Sequence, residues 1–190
     1  QGEKIRLVDD ASLYLQNATV IRLFKLTLGG IDQLAALART WLQAVGEDRM
    51  VRIRFPDGKV REAPLHAEWT VESARALVGR LLDLRNAYRQ LAGESGQAYA
   101  AVVAALDEAS DEVMFFIAKT LLFGQTAAVY GFNRVARLLE KIAVRLGKVL
   151  CANYFDDYSQ LVAEVLAGSA ETCLKETFKI LGFDLAETAS

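Results

Sequence analysis

The chemistry in this sequence is concentrated in a few carboxylates. Asp83 closes the apolar run Leu81-Leu82, and Asp156-Asp157 sit inside Tyr154-Phe155-Asp156-Asp157-Tyr158, between two apolar stretches. A carboxylate beside strand-forming apolar residues is costly to bury unless it is paired or binds metal. Two such sites brought together would offer hard oxygen ligands to divalent cations, as two-metal phosphoryl or nucleotidyl transfer requires. Adjacent aspartates are also ordinary turn residues, and Asp9-Asp10 repeats the pair, so the dipeptide alone says little. Other chemistries have fewer resources. The single histidine, His66, leaves no His-rich zinc site and no Ser-His-Asp triad centred elsewhere. Cys151 and Cys173 cannot make a disulfide framework; both, like His66, read as structural or surface residues, and a reducing, intracellular compartment is expected.

These carboxylates need rigid elements to hold them. Ile5–Val8 reads as a short strand. Ile31–Val45 has apolar residues at helical period, with Leu34, Leu37, Trp41 and Leu42 on one face. Val51–Phe55 alternates apolar and polar residues, Pro56-Asp57-Gly58 is a turn, and 59–61 returns as the second arm of a hairpin. Thr70 is placed to cap a short helix from Val71 to about Val78. Gln97–Leu106 is helical on alanine content alone, whereas Val113–Ile117 is strand-like. Helical period returns over Thr126–Leu150, with Arg134, Arg137, Lys141, Arg145 and Lys148 forming a basic stripe that reads as a solvated face. Leu150–Phe155 and Leu161–Val165 flank a tight acidic turn, and a last helix over about Glu171–Leu181 stops at Gly182.

Composition sets the outer limits. The 190 residues are 53% hydrophobic and 24% charged, enough for a sizeable core and unlike a disordered chain. The formal net charge of −2 excludes a global basic field, so any polyanion contact must be local. No run of about 20 apolar residues suggests a membrane span, and no membrane partner is expected. The polar start without methionine suggests a processed or excised piece.

The order of the motifs resembles that of reverse transcriptases, most closely those of retrotransposons. Asp83-Leu-Arg-Asn-Ala-Tyr88 is similar to the first palm motif, in which a metal-binding aspartate ends a strand and an aromatic follows five positions later. Leu121-Leu-Phe123-Gly124-Gln resembles the second, and Tyr154-Phe155-Asp156-Asp157 matches the Tyr-x-Asp-Asp hairpin. Lys4–Ser12 with Asn17 resembles a fingers segment, and Leu181-Gly182-Phe183 a fourth palm motif. The resemblance spans Lys4 to Phe183. Two departures stand out: Leu121-Leu122 replaces the usual Leu-Pro, and no lysine follows Gly182.

The resemblance implies an α+β fold, a polymerase palm-like antiparallel sheet backed by helices with partial fingers. Residues 1–75 would be partial fingers with a helical insertion and a β-hairpin, and residues 76–190 the palm, with the thumb absent. It turns 97–119 into a hairpin around Asp107–Asp111. Asp83, Asp156 and Asp157 would be catalytic and, with the carbonyl of Leu84, would bind two Mg²⁺ ions, Mn²⁺ being a substitute. Tyr88 would be the steric gate against a 2′-hydroxyl, with Gln90 in support. Arg6, assisted by Lys4, would reach the triphosphate, and Phe123 and Gly124 would approach the nucleotide. Tyr154 and Phe155 would pack near the primer end. The implied partners are an RNA or DNA template with a DNA primer and deoxynucleoside triphosphates. The alternative is an inactive retroelement-derived palm that only binds nucleic acid or protein. A third reading, a mostly helical scaffold without a site, follows from the alanine and leucine content.

Overall fold

The computed structural model describes residues 11–12, 15–21, 25–26, 28–107 and 109–186. The expected strand Ile5–Val8, and with it Lys4 and Arg6, lies outside the described residues. The protein is α+β, built from small antiparallel sheets and helices, so the mostly helical reading does not hold. Contacts group the chain into two compact units, residues up to 27 with 85–136, and 28–84 with 137 onward. Each is discontinuous in sequence, and the grouping cuts across the expected division at residues 75 and 76.

In the second unit, helix α1 (Ile31–Ala44) follows the apolar period, and strands β1 (Met50–Arg54) and β2 (Val60–Pro64) form the expected hairpin. Gly58 adopts φ +82°, the left-handed geometry that the turn needs and glycine permits. Val45, Leu65 and Ala74 form a small core here, joined by half-buried Trp41, Val51, Trp69 and Val71. The Trp41 indole donates to the Ala74 carbonyl at 2.8 Å, so its buried N–H is satisfied.

Helix α2 (Val71–Arg75) starts at Thr70 with a reciprocal capping box: Thr70 Oγ1 accepts from Ser73 N–H, and Ser73 Oγ accepts from Thr70 N–H. It ends three residues earlier than expected. Glu164 N–H donates to the Ala76 carbonyl at 2.7 Å, and Leu77 begins strand β3 (Leu77–Asp83). Pairing with a partner strand outweighs helix propensity in a stretch that contains Val78 and Gly79.

That partner is β7 (Asp157–Ala163), reached from β6 (Cys151–Tyr154) by the two-residue turn Phe155-Asp156. The strand begins at Asp157 rather than Leu161, because every residue from Asp157 has a ladder partner on β3. The resulting antiparallel sheet has the order β3–β7–β6. Tyr158 and Phe178 meet edge to face at 4.6 Å, joining β7 to helix α4 (Ala167–Ile180). Such a contact contributes about 1 kcal/mol beyond its burial. Helix α3 (Thr126–Arg145) precedes β6. Helix α4 stops as expected at Gly182 (φ +82°): Phe183 N–H donates to the Phe178 carbonyl and Gly182 N–H to that of Lys179, a Schellman closure.

In the first unit, β4 (Val102–Asp107) and β5 (Glu112–Ile117) form the hairpin that the resemblance implied, not a helix over 97–106. Only Ser95–Ala100 coils, as 3₁₀ turns. Cross-strand pairs such as Val103 with Phe116 favour strands over alanine's helix propensity. Asp107 fixes the turn by accepting from Ala109 N–H and Ser110 Oγ.

Among the described residues, two buried side chains carry polar atoms without a partner: Asn133, through its Oδ1, and Gln160, through its whole amide. Gln160 on β7 is 1% exposed, and neither its Oε1 nor its Nε2 has a hydrogen-bond partner. A buried amide without partners costs about 1–3 kcal/mol. Gln160→Met should therefore stabilise the protein, raising the urea midpoint at unchanged slope; a lowered midpoint would show that the amide is satisfied in solution.

Candidate active site

The β3–β7 register brings the sequence carboxylates to one corner of the second unit. Asp83 lies directly opposite Asp157, and Leu84 N–H donates to the Asp156 carbonyl at 3.2 Å. Strand alternation then sorts the side chains by face. Asp83, Leu81, Asp157, Ser159 and Tyr154 share one face, which stays open: Leu81 is 56% and Tyr154 52% exposed. Leu82, Tyr158, Gln160, Asn153 and Cys151 share the other and are buried.

Two backbone features hold the corner. Phe155 sits at φ +54°, a left-handed conformation costing a non-glycine residue about 1–2 kcal/mol. This allows a two-residue connection, so Asp156 stands at the tip and Asp157 enters the ladder at once. Beyond α4 the chain returns alongside β3: Leu185 pairs with Leu84, and Ala186 N–H donates to the Asp83 carbonyl at 2.8 Å. The Leu84 side chain is buried, which anchors the strand end. The Tyr154 and Phe155 rings meet edge to face at 5.0 Å beside the tip.

Electrostatically the corner suits a cation. Asp157 has its carboxyl pKa raised above the ordinary value, first by burial and then by the neighbouring Asp156 charge. Oxygen-rich carboxylates of this kind suit a hard divalent ion. Among the described residues, however, no three His, Cys, Asp or Glu side chains converge closely enough to hold a metal ion. Beneath the open face, burial pushes the Cys151 thiol up to about 12, with the Glu140 charge contributing. Cys151 therefore stays a neutral thiol at physiological pH, in line with a structural role.

The other predicted residues belong to the first unit. Tyr88 lies in a 3₁₀ turn, Ala87–Gln90, not at the start of an α-helix. Its ring is 7% exposed, stacked on Phe132 at 4.5 Å and tilted against Phe123 at 4.7 Å. Gln90 Nε2 donates to the Arg85 carbonyl at 2.5 Å, bracing that turn. Gly124 has φ +88° and is exposed. Asn17 has a larger part than the sequence indicated. Its Nδ2 donates to the Gly124 carbonyl at 2.9 Å, and its Oδ1 accepts from Thr126 N–H at 2.7 Å, at the start of α3. Asparagine's paired donor and acceptor were the available signal, but only the fold shows their partners. His66 is exposed, its ring tilted at 57° to that of Trp69 with centroids 6.5 Å apart.

Comparison with protein-family models gave no match, and comparison with curated proteins gave none either. No helix among the described residues is long and apolar enough to cross a membrane.

Asn17→Ala should destabilise the protein by about 1–2 kcal/mol, because it removes a helix-terminal acceptor and orphans the Gly124 carbonyl; an unchanged denaturation midpoint would rule out the clasp. Asp157→Asn should act in the opposite direction. A raised folded-state pKa penalises the fold above that value, and the penalty vanishes as pH falls through it towards the ordinary 3.8. In EDTA at pH 7 the variant should melt at a higher temperature than wild type, with the gain fading towards pH 4. A lower melting temperature at pH 7 would contradict the raised pKa.

Proposed function

We propose that the chain is the catalytic core of an RNA-directed DNA polymerase of retroelement type, with a palm-like sheet. One observation carries this reading: β3–β7 pairing sets Asp83 opposite Asp157, with Leu84 bonded to Asp156, on the open face of a sheet whose other face is buried. An Asp-bearing strand beside an Asp-Asp hairpin is what the motif order in the sequence implies. The glycine of the second motif, at φ +88° and held by Asn17, supports it further.

In this reading Asp83, Asp156 and Asp157, with the Leu84 carbonyl, would hold Mg²⁺, which requires the three carboxylates to draw closer together than they stand here. Ions bound there would supply Lewis acidity, lowering the pKa of a primer 3′-hydroxyl and offsetting triphosphate charge. The protein's part is to fix the carboxylates on a rigid strand pair and to leave the face open to template, primer and deoxynucleoside triphosphate. Tyr88, braced by Phe123 and Phe132, serves as the ring that discriminates against a 2′-hydroxyl. Tyr154 and Phe155 would meet the primer end; the triphosphate role that the resemblance gives Arg6 falls on a residue outside those described.

The second reading is an inactive palm that binds nucleic acid or a partner protein. It is favoured by the lack of a converged three-ligand group among the described residues and by the absence of a lysine after Gly182.

A labelled DNA primer on an RNA template, with Mg²⁺ and deoxynucleotides, separates the two. The native chain should extend the primer, and Asp156→Asn should lower the rate about a thousandfold, the scale of losing a metal ligand in the transition state. Extension that persists in the variant, or none by either protein, would overturn the polymerase reading.

A further inference from the structure

The buried side of the sheet holds a feature that the carboxylate corner does not use. Within the second unit, a cavity of about 270 Å³ opens between α1 and the last turns of α3. Apolar Leu37, Val144 and Leu150 line it together with Arg137, Lys141 and Arg145. The three cations recur every four residues, so they lie along one stripe of α3. The acidic group in the lining, Glu140, is engaged by Gln33, whose Nε2 donates to Glu140 Oε1 at 3.3 Å. Among the described residues neither Lys141 nor Arg145 takes part in an ion pair, and both are exposed.

The charge is local. The whole chain carries −2, yet residues 134–148 contain Arg134, Arg137, Lys141, Arg145 and Lys148 against Glu140 alone. A concentrated cationic stripe beside a concave, partly apolar surface is a means of binding a polyanion. Four helical residues span about 6 Å, close to the spacing of successive phosphates along a single strand, so Lys141 and Arg145 can meet adjacent phosphates. An anionic peptide would present carboxylates at less regular intervals, which favours nucleic acid as the occupant.

The cavity lies away from the acidic face. Cys151, which also lines it, pairs with Gln160, whereas Asp157 pairs with Tyr154 three residues further along β6. Odd spacing puts the two on opposite faces. We propose that this groove is a nucleic-acid site, binding the phosphate backbone of a single strand through Lys141 and Arg145. The inference goes beyond the polymerase reading and does not depend on it, since it invokes no metal, nucleotide or primer.

Fluorescence anisotropy of a labelled, mixed-sequence, ten-nucleotide single-stranded RNA in EDTA tests it. Lys141→Gln/Arg145→Gln should weaken binding about tenfold or more and flatten the slope of log K against log salt by about 1.4, two phosphate contacts' worth. Lys141→Arg/Arg145→Lys keeps the charge and should keep binding. Lys59→Gln/Arg61→Gln, an equal charge loss on the β1–β2 hairpin, should change affinity less than twofold. Equal weakening by both neutral pairs would overturn the proposal in favour of diffuse charge. Unchanged binding in the α3 pair, with a native circular dichroism spectrum, would also overturn it. Displacement of the RNA by polyglutamate at equal phosphate and carboxylate concentration would reassign the groove to an acidic protein partner. These readouts leave primer extension untouched, so failure here and failure of the polymerase reading are distinguishable.

Discussion

Everything proposed for the acidic corner depends on the pairing register of two strands. Asp83 and Asp157 share a face because β3 and β7 align at one offset and no other. A slip of one residue would carry Asp83 to the buried side and bring Leu82 to the open one, reversing polarity along the whole strand. The burial of Leu82 and Tyr158 therefore does more than stabilise the sheet. It fixes the offset, and the offset fixes the carboxylates. The strained Phe155 and the short turn beside it are supported by the same burial, since the ladder starts immediately after Asp156.

Much of this was legible in the sequence where local rules suffice. The α1 period, the Pro56-Asp57-Gly58 turn and the stop at Gly182 act through nearby residues, and each gave the expected element. Segments whose state depends on a distant partner were read less well. Leu77 and Val78 extend a helix on local grounds but join β3 because β7 is there to pair with them. The hairpin at 102–117 contradicts its alanine content, and the motif resemblance predicted it better than propensity did. Asn17 stood out in sequence only as part of a segment; its clasp on Gly124 and Thr126 bridges residues over a hundred positions away.

The two sides of the sheet have opposite electrostatic characters. One presents carboxylates, among which Asp157 holds its proton more tightly than an ordinary aspartate. The other is lined by neutral polar groups under helices, and its margin on α3 is cationic. Segregation of this kind within a chain of net charge −2 needs both faces to be shielded from each other by the sheet itself. The cost is visible in Gln160, whose amide lies in that shield without a partner.

The hydrogen bond from Ala186 to the Asp83 carbonyl has a consequence in time. Asp83 emerges early in synthesis, but the strand that faces it and the backbone that clamps its end come more than seventy and a hundred residues later. Contacts so distant along the chain close slowly, after local helices and hairpins have formed. The acidic corner is therefore among the last parts of the second unit to assemble, and a nascent chain exposes Asp83 without its partners until residue 186 has left the ribosome. The Asp83–Asp157 juxtaposition therefore arises only once β7 has joined β3, late in the synthesis of the chain.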